Sequence, residues 1–112
     1  MKNNSQMLKG LLEGCILKII RDKETYGYEI VVSLKKGGFS DVTEGSVYPI
    51  VLRLEKKGII DSVKKPSPLG PKRKYYYLTT LGHEELENFL MGWQELKFNV
   101  DYFINREVSY EK

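Results

Sequence analysis

Cysteine, histidine and tryptophan are almost missing from this 112-residue chain, which has one of each: Cys15, His83 and Trp93. A single cysteine excludes an internal disulfide, and on a helical apolar stripe it reads as a small buried hydrophobe in a reducing compartment. No cluster of metal ligands can be assembled, no nucleophile is patterned with a base, and no glycine-rich phosphate loop follows a strand. His83, at the start of a helix, reads as a surface or capping residue, so no enzyme, metal or cofactor is expected. Long apolar runs are also missing. Glu13 and Lys18 interrupt the N-terminal one, which excludes a signal peptide, and no stretch approaches the ~20 apolar residues of a membrane span. The expectation is a cytoplasmic protein without membrane contacts. At this length it is one domain's worth of chain, able to bury roughly 60–70% of its unfolded surface.

Charge is nearly balanced, since 18 basic minus 15 acidic residues gives +3, but it is unevenly spread. From Lys56 to Lys74, seven basic residues face one acid, a local balance of +6; from Glu84 onward, three face seven, or −4. Such asymmetry suits a molecule that turns one face to a polyanion and keeps another away from it. Taken alone, it also fits an ordinary solvated surface.

The apolar pattern divides the chain into helices and one hairpin. From about Ser5 to Arg21, apolar residues from Met7 to Ile20 recur in pairs every four positions. They give a stripe broad enough for two packing partners. Gly10 and Gly14 weaken that helix, which the close approach of another helix, including a partner's long helix, would explain. A second helix runs from about Tyr26 to Lys36, with Thr25 as a candidate cap and Gly37-Gly38 as its stop. After a six-residue turn, Thr43 caps a third helix that ends at Gly58. Val47, Ile50, Val51 and Leu54 form its buried stripe. Gly45, Pro49, Arg53 and Lys56 lie opposite, and Pro49 is anomalous because it removes a bond to the Gly45 carbonyl.

Residues 59–65 and 73–78 read as two strands, with the proline-rich 66–71 as a stiff tip that continues neither. Lys64, Lys65, Lys72, Arg73 and Lys74 stand at its shoulders, where they could reach phosphates or a minor groove. Tyr75, Tyr76 and Tyr77 are expected to pack the strand alternately inward and outward. A long helix then starts at Thr79 or Thr80 and runs to about Val108, roughly 45 Å. In it Leu86, Trp93 and Val100 fall seven apart, interleaved with Phe89, Leu96 and Phe103. Left exposed, those six side chains would forgo up to ~9–18 kcal/mol, as much as a whole domain's stability, so a homodimer is expected. The fold class is therefore α+β, mainly α: a winged helix-turn-helix over 1–78 and a C-terminal dimerisation helix over 79–112.

The motifs that carry these elements resemble the PadR family of bacterial transcriptional regulators. They are Tyr26-Gly27-Tyr28-Glu29-Ile30, Glu44-Gly45-Ser46-Val47-Tyr48-Pro49 with Arg53-Leu54-Glu55-Lys56-Lys57-Gly58, Gly70-Pro71-Lys72-Arg73-Lys74-Tyr75-Tyr76, and Leu78-Thr79-Thr80-Leu81-Gly82. The short length and single long C-terminal helix are similar to the compact subfamily that includes multidrug-sensing repressors. The resemblance implies a dimeric repressor that is released or altered by a small ligand. By position, Ser46, Tyr48 and Pro49 match residues that approach DNA, and Lys72 and Arg73 match the wing. Trp93 matches a tryptophan that lines a cavity between subunits and stacks on planar drugs, with Phe89 and Leu96 beside it. Leu52 departs from the pattern, standing where a basic residue is frequent, and Phe89, Leu90 and Leu96 make a more filled interface.

The expected partners are thus a double-stranded palindromic operator, a second copy of the chain and a small planar aromatic ligand. The alternatives are a winged helix used for protein contacts, or a repressor answering to phenolic acids or to no ligand. A heptad tryptophan is also ordinary core.

Overall fold

The structure is a computed structural model that describes residues 5–107 and, within them, every side chain except those at 5–7 and 9. In chain order its elements are α1 (Ser5–Asp22), α2 (Gly27–Lys36), α3 (Glu44–Lys56), β1 (Ile60–Ser67), β2 (Gly70–Leu78) and α4 (Thr80–Asn105). Three helices and a hairpin enclose the core. It is built from Leu12, Ile16, Leu17 and Ile20 of α1, Ile30, Val31 and Leu34 of α2, and Val47, Val51 and Leu54 of α3. Ile60, Tyr76 and Leu78 of the hairpin and Leu86 of α4 close it. The buried positions on each helix recur at three- and four-residue intervals, the spacing that puts side chains on one stripe.

Boundary chemistry fixes where the elements stop. At the head of α3 the Thr43 amide donates to Ser46 Oγ (2.9 Å) and the Ser46 amide to Thr43 Oγ1 (3.2 Å), a reciprocal cap. Its other end turns through Gly58, whose φ of +77° suits a residue without a Cβ. Pro49 is carried inside the helix on the exposed side, leaving the Gly45 carbonyl to solvent. Nothing in the structure explains the choice of proline.

Thr25 is not the cap of α2. Tyr26 occupies that position without a side-chain hydrogen bond, while Thr25 is fully buried and extended, its carbonyl accepting the Tyr76 amide at 2.9 Å. A β-branched residue there gains a one-residue third strand beside β2, and its hydroxyl donates to Glu29 (3.1 Å).

The hairpin departs further from expectation. Both strands run on into the proline-rich segment, so that Ser67 pairs with Gly70 and the turn shrinks to Pro68 and Leu69. Proline is tolerated because a two-stranded ribbon offers edges, and because the register shifts between Lys65 and Ser67, leaving Pro66 at a bulge. The tyrosines alternate as expected: Tyr76 is buried and Tyr77 exposed.

Thr79 caps α4, accepting the Gly82 amide at 3.0 Å and donating to the Gly58 carbonyl at 2.6 Å. The helix ends at Asn105 with Arg106 as its cap, shorter than expected, at about 39 Å for 26 residues. Val108 lies outside the described residues, as does the Met7 side chain. Only the first turns of α4 touch the core; beyond Leu90 the helix projects, giving the molecule extents of 69 × 30 × 20 Å. One glycine of α1 is explained within the chain: Phe89 of α4 lies on Gly14, where a Cβ would come 2.3 Å from the ring. Gly10 faces open space.

Candidate nucleic-acid interface

The outer face of α3 carries Gly45, Ser46, Tyr48, Pro49, Leu52, Arg53 and Lys56, all exposed because their neighbours at helical spacing fill the core. Ser46 is committed to the cap: besides its amide bond, its hydroxyl donates to the Thr43 carbonyl at 2.9 Å. Tyr48 donates to Glu44 Oε1 at 2.8 Å, and that hydrogen bond, then partial burial, raises its phenol above the ordinary range. Its ring rests on Gly27 of α2, where a Cβ would lie 2.6 Å away. The two helices of the helix-turn-helix therefore touch through a tyrosine that the sequence pointed at DNA.

Three of the expected DNA-facing cations are already held by carboxylates. Arg53 Nη2 is 2.8 Å from Glu13 of α1, Lys74 is 2.9 Å from Glu55 of α3, and Lys65 pairs with Glu24. Glu55 also accepts from Ser62 Oγ at 3.0 Å, so one carboxylate ties α3 to both strands of the wing. The hydrogen bond to Glu55 holds the Lys74 ammonium above its ordinary range. Arg73 instead lies over the Tyr26 ring at 4.3 Å, a cation–π contact. Lys56, Lys64 and Lys72 are exposed, with no ion pair among the described residues. Glu13, Glu24 and Glu55 went unnoticed in the sequence because their partners are 40, 41 and 19 positions away and no local spacing records such pairs.

A cleft of about 630 Å³ opens between the start of α2, the outer edge of α3 and strand β2. Tyr26, Tyr28, Tyr48 and Tyr76 form its walls, with Leu52, Arg73 and Lys74 among the remaining lining. At the far end of the molecule Phe89, Trp93 and Leu96, the three residues named for ligand binding, line one shallow groove of about 330 Å³ with Gly10, Leu11 and Gly92. The groove lies between α1 and α4, and the open space above Gly10 is part of it. Among the described residues no group of three or more His, Cys, Asp or Glu side chains is placed to hold a metal, and no helix is long and apolar enough to cross a membrane.

A helix-turn-helix whose second helix is exposed, followed by a hairpin wing, is the architecture of a winged-helix DNA-binding protein. Residues 16–88 match the transcriptional regulator PadR-like family, and the chain belongs to it. A PadR-like transcriptional regulator from Bacillus cereus is 50% identical, with a TM-score of 0.85 over 92% of this chain and 100% of that one. An uncharacterised Lysinibacillus sphaericus protein is 35% identical over 89% of this chain and 94% of its own length. Bacillus subtilis PadR, solved in complex with operator DNA, is 28% identical with a TM-score of 0.65, covering 74% of this chain and 48% of that one. The protein is thus a PadR-like transcriptional regulator of winged-helix fold, a family of transcription factors rather than enzymes.

Proposed function

We propose that the chain acts in the cytoplasm as a dimeric, ligand-responsive repressor, with residues 1–78 binding DNA and 79–112 pairing the subunits. The observation that carries the dimer is the outer half of α4. Trp93, Leu96, Val100 and Phe103 stay 40–64% exposed at heptad spacing, and Phe98 and Ile104 exceed 70%. Burying each such side chain stabilises by roughly 1.5–3 kcal/mol, so the row drives association unless a second copy or another partner already covers it.

In the dimer two α3 helices, about 34 Å apart, enter successive major grooves of a palindromic operator. Ser46, Tyr48 and Pro49 approach base edges or the nearby backbone. Arg53, Lys56 and the wing cations Lys64, Lys65, Lys72, Arg73 and Lys74 supply phosphate contacts that fix register. A planar aromatic ligand on Trp93, flanked by Phe89 and Leu96, changes the spacing of the two heads, so ligand and operator affinities are coupled reciprocally. What supports this reading is that the three residues share one groove at the root of the exposed row.

Sedimentation velocity tests the assembly. A dimer is expected for the wild type, and Phe103→Ser with Val100→Ser should shift it toward monomer while leaving the helix content of the domain intact. A wild type that remains monomeric at high micromolar concentration would sink the dimer.

A further inference from the structure

We propose that the cleft between the start of α2, α3 and β2 is the seat of one phosphodiester group of the DNA backbone, an inference that rests on the DNA-binding reading above. The geometry follows from straddling. A protein with α3 in the major groove and its wing toward the minor groove must accommodate the sugar-phosphate strand that separates the two grooves, and the cleft lies between those two elements. Its chemistry fits an anion. The first turn of α2, formed by Gly27, Tyr28 and Glu29, has no side-chain cap, so the positive end of a 10-residue helix borders the cleft at Gly27 and Tyr28. Arg73 reaches the same space, poised on the Tyr26 ring and without a carboxylate partner among the described residues. Neighbouring Lys74 is already neutralised by Glu55.

Tyr76 is the independent observation. It is only 9% exposed and lines the cleft, yet its hydroxyl makes no hydrogen bond to any described residue. A buried phenol without a partner is costly, and a phosphate oxygen would satisfy it. Val51, Leu52 and the tyrosine ring faces give the sugar carbons an apolar bed. The seat therefore combines a neutral donor, a cation and a helix terminus around one anionic group, and Tyr76 and Arg73 act on that group together.

The test uses full-length protein, a short labelled duplex of arbitrary sequence and a salt series. Arg73→Gln should reduce the magnitude of the log–log salt slope by about 0.9 per engaged subunit. Tyr76→Phe, which keeps the ring in the core, should weaken binding by roughly tenfold per subunit at an unchanged slope, from the loss of one hydrogen bond to a charged group. The double variant should lose less than the product of the single losses, because both side chains serve one phosphate. Affinity untouched by Tyr76→Phe, or losses that multiply fully, overturns the seat.

A second arm separates backbone phosphate from a free anion: inorganic phosphate is titrated into DNA-free protein while the Gly27 and Tyr28 amide resonances are followed. Weak shifts far from saturation are expected. Tight saturation, combined with DNA affinity insensitive to Tyr76→Phe, assigns the cleft to a small anion and overturns the proposal. The two readings fail differently: a wild type that does not bind duplex brings down DNA binding itself, whereas a wild type that binds steeply with both variants unchanged brings down only the seat.

Discussion

Replacing Glu13 by glutamine removes the carboxylate that holds Arg53, the arginine in the middle of the outer face of α3. The pair is 2.8 Å apart but sits at the surface, with side chains 47% and 34% exposed. Solvent screens it, and pairs of this kind are worth roughly 0–1 kcal/mol. Fold stability should therefore fall by less than about 1 kcal/mol in Glu13→Gln, read as a small shift of the denaturant midpoint. DNA binding responds in the opposite direction. In the wild type Arg53 must leave Glu13 to meet a phosphate, and that cost, at most about 1 kcal/mol, is a factor of up to about five per subunit. Anisotropy titrations should show Glu13→Gln binding duplex DNA about two- to fivefold tighter per subunit. Removing a negative charge near DNA also helps at long range, so the control is the same substitution made on Arg53→Gln. If the gain survives there undiminished, or if Glu13→Gln binds more weakly, Arg53 is not a DNA-facing residue and the reasoning fails.

Gly82→Ala should be among the most destabilising single changes in the chain, by several kcal/mol, because an added Cβ would come 2.1 Å from the Ile59 carbonyl oxygen. A thermal melt within a degree or two of wild type would show that α4 can pull away from the hairpin without cost. The Lys74–Glu55 hydrogen bond raises the Lys74 pKa in the folded state, so its stabilisation is fully present below the ordinary lysine range and is lost as pH rises through the shifted value. Removing the ammonium in Lys74→Met should therefore flatten that part of the alkaline loss of stability; an unchanged alkaline limb would contradict it. Planar aromatic cations should quench the emission of Trp93 saturably, and Trp93→Ala should abolish the binding while sedimentation still reports a dimer. No response to such a cation or to a phenolic acid would leave Trp93 as packing.

The parts of the fold set by neighbouring residues were readable from the chain. Thr43, Gly58 and Thr79 mark helix ends through their own hydroxyls or backbone freedom, and each does so in the structure. Errors arose where tertiary context outweighed local preference. Thr25 could cap a helix as well as extend a sheet, and burial against β2 decided for the sheet. Pro66 and Pro71 argued against strand, yet a bulged ribbon with free edges accepts them. Gly14 signalled a close approach correctly, but the approaching group is Phe89 of the same chain. At the candidate interface, sequence located the cations and not their counter-ions. Arg53, Lys65 and Lys74 look alike in composition to Lys56, Lys64 and Lys72, and folding alone divides them into paired and exposed. The phosphate-sized cleft was equally hidden, since its walls come from α2, α3 and β2 and only meet in the folded chain.

The central claim is that α3 and the wing of two subunits grip the DNA backbone. Its most direct test is the affinity of the wild-type protein for duplex DNA as salt rises from about 50 to 200 mM. With about six to ten phosphates neutralised per dimer, the log–log slope should lie near −5 to −9. A flat dependence would contradict the account and leave the winged helix as a surface for protein contacts.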